Sequence, residues 1–271
     1  MVINKNKVDS IKIECLRMCS GVGSAHITSA FSCAELICVL YYEIMNIKPF
    51  DSCWDNRDRF IMSKNHGSLI TYPILKDLGF IDSIQSFGGD GSSIGIHTKL
   101  GMKGVDFCGG SLGIGLGFAA GIALGAKINN RDHLVFCIVG DGELYEGSIW
   151  ETLMFVSSKR LDNLIVIIDR NKLCITDYTE NIVHLESIKD KMKSFGYEVR
   201  EINGHCLDDI RNCFKDVRER NNGRPLCVIA DTIKGKGVSF LENVSLWHGK
   251  APDKDQTEAA IEEIGRKYNG K

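Results

Sequence analysis

From residue 133 to residue 232 the chain repeats one unit, a short apolar run bounded by turn residues and followed by an amphipathic stretch. The runs are HLVFCIVG, NLIVIID, YEVREI and PLCVIADT, and between them lie SIWETLMFVSSK, IKDKMKSF and LDDIRNCFKDVRER. A strand that is apolar on both sides must be covered on both faces, and strands alternating with helices favour parallel pairing through crossovers. The alternation predicts an α/β fold: a doubly wound, mainly parallel sheet with helices on both faces. Upstream, RFIMS reads as another short strand, with a helix starting near His66-Gly67. The first fifty residues read as two helices around a polar loop, SGVGSAHITSAFS; the second, AELICVLYYEIM, is apolar nearly all round and so expected to be buried. Without internal repeats or low-complexity linkers, residues 1–271 read as a single domain with a C-terminal extension ending in the helix DQTEAAIEEIGRKY.

Two stretches depart from this pattern. Residues 86–113 are glycine-rich and aperiodic, and a loop of that length in a compact domain generally carries function. Residues 107–128 are apolar for long enough to raise a membrane span. Gly and Ala dominate them, however, and no second span or flanking basic belt accompanies them. Gly113, Gly117, Gly121 and Gly125 recur every four residues and would form one stripe on a helix. Such a stripe predicts a buried helix packed closely against another subunit.

The 271 residues are 44% hydrophobic and 25% charged, with a formal net charge of −2. That balance gives no basic excess for nucleic acid or acidic membranes, and basic clusters such as Lys234-Gly-Lys236 are too short to change it. The N-terminus lacks the apolar core of a secretory signal. The 11 cysteines include no C-x-x-C pair, so they read as reduced thiols of a cytoplasmic protein, Cys38, Cys137 and Cys227 being core residues.

An open parallel sheet binds ligands beyond the carboxyl ends of its strands. Two consecutive strands end here in Gly140-Asp141-Gly142 and in Asp169-Arg170-Asn171. Glycines beside an acid permit a tight turn and let a phosphate approach the backbone, and the helix opened by the turn favours that phosphate. Asp141 and Asn171 would supply two hard oxygens from neighbouring strand ends. Magnesium suits such a site, because it takes few protein oxygens and completes its octahedron with phosphate and water.

This strand–GDG–helix–strand–Asn unit resembles the thiamine-diphosphate motif, and GDGELYEGSIWE with LDNLIVIIDRNKL resembles its transketolase form. DRFIMSKNHGS at 58–68, GVDFCGGSLGIGLG at 104–117, INGHCLDDI at 202–210 and DTIKGKGVSFLENVSLWHGKAP at 231–252 are similar to further transketolase motifs in the same order. The resemblance implies the thiamine-diphosphate-binding fold. It also implies magnesium coordinated by Asp141, Asn171 and the carbonyl of Leu173, with Gly142 contacting the diphosphate through its backbone. Gly110 and Gly140 would be further cofactor-binding positions, and Leu112 would lie against the thiazolium. His66, also at the cofactor, His248, His26 and His97 would handle protons, since histidine titrates near neutrality. His97 stands one place later than the family's histidine. His133, His184 and His205 read as structural, and Glu146 matches a glutamate at the family's subunit interface.

The sequence also differs from the family pattern. Ala25 and Thr28 replace loop glycines around His26, and Ile114 replaces a glutamine. Arg170 sits between the two metal ligands. Asn65 replaces the glycine before His66, where its tolerance of left-handed backbone would preserve the turn. The family's activating glutamate and its phosphate-gripping arginines belong to a second, pyrimidine-binding domain, and the chain stops shortly after WHGKAP. The resemblance therefore implies the N-terminal subunit of a split transketolase, paired with a separate C-terminal subunit carrying that domain, as an α2β2 heterotetramer acting on small sugars. Two other readings stay open: a carboligase of a specialised pathway acting on a modified sugar or keto acid, and a non-catalytic scaffold. The α-subunit of a 2-oxoacid dehydrogenase would share GDG and Asn but not ELYEG or WHGKAP.

Overall fold

The apolar runs become the strands of one sheet in the computed structural model, which describes residues 2–269; the ends of the expected domain, 1, 270 and 271, lie outside the described residues. The strands are β1 (Arg59–Met62), β2 (Val135–Gly140), β3 (Leu164–Arg170), β4 (Glu198–Asn203) and β5 (Leu226–Asp231). Their order is β1-β2-β3-β5-β4, and every pairing is parallel. The chain adds strands in one direction as far as β3, skips a place to lay down β4, and turns back to insert β5.

The helices are α1 (Lys5–Cys19), α2 (Ile27–Ser32), α3 (Ala34–Val39), α4 (Thr71–Asp77), α5 (Gly115–Ile128), α6 (Gly147–Ser158), α7 (Thr179–Ile182), α8 (Ile188–Ser194), α9 (Leu207–Phe214) and α10 (Lys254–Asn269). Right-handed crossovers place a helix on the opposite face once the direction of strand addition reverses. Accordingly α5, α6 and α8 cover one face, while α9 joins α1 to α4 on the other. The period of two in each strand sorts its side chains between two cores. On β2, Phe136 and Ile138 face the α9 side, and Val135, Cys137 and Val139 face the α5–α6 side. The edge strand β4, with Glu198 and Arg200 half-exposed, has the charge that suits an unpaired rim.

Two local expectations, the loop around His26 and the place of Gly113 in the stripe, need correction. Helix α2 starts at Ile27, inside the stretch expected to be a loop; the chain breaks at Cys33 and resumes as α3, widening into a π-helical turn at Leu40–Ile44. The polar look of Thr28, Ser29 and Ser32 concealed this helix. All three are buried, and the Ser32 hydroxyl serves Asp169 from 2.7 Å. The apolar stretch 107–128 becomes helical only over the 14 residues of α5, about 21 Å at 1.5 Å per residue, and no helix among the described residues is long and apolar enough to cross a membrane. Gly113 precedes that helix in a left-handed turn, φ +85°, so the stripe reduces to Gly117, Gly121 and Gly125. Within this chain the stripe faces outward, with nothing within 4 Å of a Cβ built on Gly121 or Gly125, which leaves it free to meet another subunit.

At Gly115 the glycine is required for packing. A Cβ there would stand 2.7 Å from the Cα of Ser63, at the end of β1. At Gly265, in α10, a Cβ meets nothing within 4 Å. Urea unfolding of the two alanine variants should therefore shift in opposite directions. Gly265→Ala should gain about 0.4–1 kcal/mol from lost unfolded-state entropy, and Gly115→Ala should lose about 1–3 kcal/mol to overpacking.

Candidate functional site

Because all five strands run parallel, their carboxyl ends and the segments that follow open on the same edge. A cavity of about 380 Å³ lies there. His26, His66, His97 and His248 line it, as do Gly110 and Leu112 from the long loop. Gly140, Asp141 and Gly142 enter from the end of β2, and Asn171 and Leu173 from the end of β3. Lys64, Glu143, Cys174, Ile175 and Lys234 complete the wall. A wider depression of about 630 Å³ adjoins it past Asn171 and includes His205. That imidazole is fully engaged: its Nδ1 meets Glu35 Oε2 at 3.0 Å and its Nε2 accepts the Ile233 N–H at 2.8 Å. Such a histidine is structural, and the smaller cavity is the candidate site.

The buried Asp141 carboxylate is held from both sides. Oδ1 accepts the Gly142 N–H at 2.8 Å, and Oδ2 accepts the Lys172 N–H at 2.5 Å and Arg170 Nη1 at 3.0 Å. Lys172 reaches this position with a left-handed φ of +66°, a conformation that a side-chain-bearing residue adopts only when its surroundings impose it. The Asn171 side-chain oxygen accepts the Leu173 N–H at 3.1 Å, and the Leu173 carbonyl accepts Lys234 Nζ at 3.1 Å. One carboxylate, one amide and one carbonyl thus line the same wall. Among the described residues no group of three or more His, Cys, Asp or Glu is placed so that it could hold a metal ion, so a closed zinc-type site is absent from them. A few hard oxygens beside an open, glycine-walled cavity fit a magnesium ion that brings its own phosphate and water ligands. Burial raises the Asp141 pKa, and the neighbouring Asp169 charge adds to the rise while Arg170 opposes it; a cation at Oδ1 would favour the carboxylate form.

Beneath this wall lies an ion pair that sequence reasoning missed. Lys64 Nζ, at the end of β1, meets Asp169 Oδ2 in β3 and also donates to Ser32 Oγ at 3.1 Å and the Ser29 carbonyl at 2.9 Å. Thr232, just past β5, donates to Asp169 Oδ1. Burial by itself would push both groups toward neutrality, yet their mutual attraction holds the Lys64 pKa above and the Asp169 pKa below the ordinary value. Glu143 is a second unforeseen organiser, accepting from Ser63 Oγ at 2.5 Å, Gly113 N at 2.9 Å and Gly140 N at 3.1 Å. The available signal was a charge abutting an apolar strand, as in FIMSK and LIVIID. Lys234, which belongs to the short basic cluster Lys234-Gly-Lys236, is buried in the site.

The four histidines form one group. Ring centroids are 5.0 Å apart for His26–His248, 5.5 Å for His26–His66, 5.6 Å for His66–His248 and 6.3 Å for His26–His97. Burial lowers the pKa of all four; Lys64 depresses His66 further, and Lys234 helps bring His248 down to about 4. At neutral pH they are uncharged and able to accept protons. His26 Nδ1 donates to the His248 carbonyl at 2.5 Å, and His248 Nδ1 faces Lys234 Nζ at 3.0 Å. In both rings the Nδ1 side is thus occupied and Nε2 is left for a ligand. His97, one place late in the motif, still lines the cavity, because Asn65 grips its neighbour Thr98 through two hydrogen bonds of 2.9 and 3.0 Å. Asn65 does this from a 3-10 turn and does not use the left-handed backbone anticipated for it. Glu146 is exposed at the start of α6, outside the cavity; His133 and His184 also lie outside it.

Residues 3–270 match the family model described as transketolase, thiamine diphosphate binding domain. An apulose-4-phosphate transketolase subunit from Phocaeicola vulgatus is 37% identical over 246 residues, covering 90% of this chain and 87% of that one. The 6-deoxy-6-sulfo-D-fructose transketolase subunit SqwG of Clostridium sp. is 35% identical, covering 90% and 89%. Among solved structures, transketolase from Leishmania mexicana superposes with a TM-score of 0.89 at 27% identity, covering 98% of this chain and 42% of that one.

Burial and the nearby Lys64 lower the Lys234 ammonium from 10.5 to about 8. The folded chain then binds this proton less tightly than the unfolded chain, so folding carries a penalty that is full below pH 8 and gone above pH 10.5. Stability contributed by this group therefore rises with pH across that window. Denaturant unfolding should show wild type gaining on Lys234→Met between pH 8 and 10.5, by on the order of 3 kcal/mol.

Proposed function

The chain belongs to the transketolase family as its thiamine-diphosphate-binding domain, and from that premise we propose that it is the cofactor-holding subunit of a two-chain transketolase, transferring a two-carbon ketol unit from a ketose to an aldose. The observation that carries this reading is the convergence of Asp141, Asn171, Leu173 and four neutral histidines on one cavity. Asp141 Oδ1, the Asn171 side-chain oxygen and the Leu173 carbonyl would hold magnesium, and the Gly140 to Gly142 turn would receive the diphosphate. Bound thiamine diphosphate would supply the nucleophilic carbon and electron sink that carbon–carbon cleavage requires.

The chain's own residues then bind, orient and move protons. His66, His26 and His248 would exchange protons with the sugar hydroxyl and carbonyl oxygens as each bond breaks or forms, with His97 at the edge of the group. Their depressed pKa values keep them in the basic form at pH 7. Lys234, near its own pKa at mildly alkaline pH, would follow the diphosphate charge. A cation here also leaves a proton donor beside His248.

A second chain would complete the site. The rim residue Ile175 is 59% exposed, and the adjoining segment exposes Tyr178, Ile182 and Val183. The face of α5 and α6 presents Phe118, Met154 and Phe155 around the open glycine stripe, with Glu146 beside it. Two copies meeting on that face, each with a pyrimidine-binding partner, would form the α2β2 heterotetramer. A magnesium-dependent, cytoplasmic enzyme of sugar metabolism follows from this reading.

A specialised sugar is the second reading, favoured by Ala25, Thr28 and Ile114 in place of the usual residues and by the unusual sugars in the relatives' names. Thr28 is buried and bonds the Trp247 carbonyl at 3.2 Å, which narrows the loop around His26.

Asp141→Ala in the chain with its partner should weaken magnesium-dependent thiamine diphosphate binding by more than the 10–100-fold typical of losing a mere supporting contact; unchanged affinity in calorimetry would refute the metal assignment. His66→Ala should keep cofactor binding within a fewfold and lower kcat by about 10²–10⁴. In a panel of phosphorylated, deoxy and sulfonated ketoses, rapid turnover of xylulose 5-phosphate would favour the general enzyme over the specialised one.

A further inference from the structure

Arg170 occupies the position between the two proposed metal ligands, and its guanidinium engages four partners. Nη1 donates to Asp141 Oδ2 at 3.0 Å and to Thr179 Oγ1 at 2.6 Å. Nη2 reaches Glu180 Oε1 at 3.0 Å and Glu186 Oε1 at 2.9 Å, and Nε donates to Glu186 Oε1 at 3.0 Å. Four N–H donors of the fork are thus hydrogen-bonded, and the Nη2–Glu186 approach adds an ion pair. One partner is the carboxylate at the end of β2; the other three lie in the segment 179–186, which follows the cavity-lining Cys174 and Ile175. The Arg170 side chain is 5% exposed and that of Asp141 2%, so this contact is shielded from the screening that weakens surface pairs, whereas Glu180 and Glu186 stand nearer solvent.

Resting on the functional reading above, we propose that Arg170 is a positioning residue that fixes the Asp141 carboxylate for the metal and clamps the segment 174–186 to it, so that metal loading and the order of this segment are coupled. The geometry has a definite consequence for the carboxylate. Arg170 and the Lys172 N–H together use both lone pairs of Oδ2, leaving Oδ1, with the single Gly142 contact, as the oxygen presented to a metal. Asp141 then binds in one-oxygen fashion, which suits the strict octahedron of magnesium better than the looser shell of calcium. Outer contacts of this kind orient ligands and sustain affinity. The segment held at the other end of the guanidinium exposes Ile175, Tyr178, Ile182 and Val183, so whatever orders it also shapes the rim of the cavity.

The sign of one measurement separates this role from simple charge neutralisation. Deleting a cation beside a metal site should raise metal affinity if charge alone matters, whereas losing a positioning contact should lower it. The full chain with its partner would be titrated with Mn²⁺ and thiamine diphosphate, followed by electron paramagnetic resonance, and the amide exchange of 174–186 would be read with and without metal. Arg170→Gln should bind metal about 10–100-fold more weakly, exchange the segment at least about tenfold faster, and show no slowing on metal addition. The paired change Glu180→Gln with Glu186→Gln keeps the Asp141 contact, so metal affinity should stay within about threefold while the segment still exchanges faster. Unchanged exchange across β3 would exclude global unfolding as the cause. Equal or tighter metal binding by Arg170→Gln, or metal-induced slowing of exchange equal to wild type, would overturn the proposal. Absence of metal uptake by the wild-type complex would instead overturn the functional reading, and this inference with it.

Discussion

The buried pair of Lys64 and Asp169 is the interaction on which the site depends. It ties the end of β1 to β3, and through Ser29, Ser32 and Thr232 it draws in α2 and the end of β5. Two opposite charges in an interior of low dielectric are expensive to desolvate, and such a pair holds only when hydrogen bonds satisfy its remaining valences. Here they do. Breaking one partner would leave an uncompensated charge costing about 3–5 kcal/mol, so the pair specifies how four elements meet more than it adds net stability. The cavity wall rests on the ends of these elements together with the end of β2 and the long loop.

A parallel sheet makes this concentration of polar groups possible. Strand interiors are apolar on both faces, so charge is pushed to the strand ends, and parallel pairing brings those ends to one edge. Asp141, Asp169, Arg170 and Lys234 are all buried within that edge, and each is compensated by a named neighbour. The same burial that makes their pairing necessary also drives four histidines to the neutral form. Stability and chemistry therefore share one cause, the removal of water from the ends of the strands. Lys234 shows the tension most openly, since it donates to the neutral Leu173 carbonyl and His248 ring, and its ammonium is correspondingly weakened.

Much of the cavity was legible beforehand, because its residues carry local signatures. Gly140, Asp141 and Gly142 announce a tight turn after a strand, Asn171 repeats the signal on the next strand, and His66 and His248 stand in recognisable motifs. Residues whose role arises from distant partners were harder to see. Lys64 is an ordinary lysine until Asp169, 105 positions away, is brought beside it. Glu143 looks like a helix-start acid, whereas it accepts from two distant segments, at Ser63 and Gly113, as well as from nearby Gly140. Helix α2 was misread for the same reason: its serines and threonine suggest a loop, and only their buried partners justify a helix.

Periodicity and turn chemistry in the sequence alone determined the class of fold, the five strands, the edge at which a ligand would bind and the core of the cofactor motif, because each depends on neighbours within a few residues. Strand order, the insertion of β5 between β3 and β4, and the gathering of His66, His97 and His248 around His26 were decided only by the tertiary structure. So were the pairing of Lys64 with Asp169 and the four partners of the Arg170 guanidinium. Each of these joins groups far apart in the chain, and whether a charge is solvated, paired or poised for a metal depends on the partners that folding brings to it.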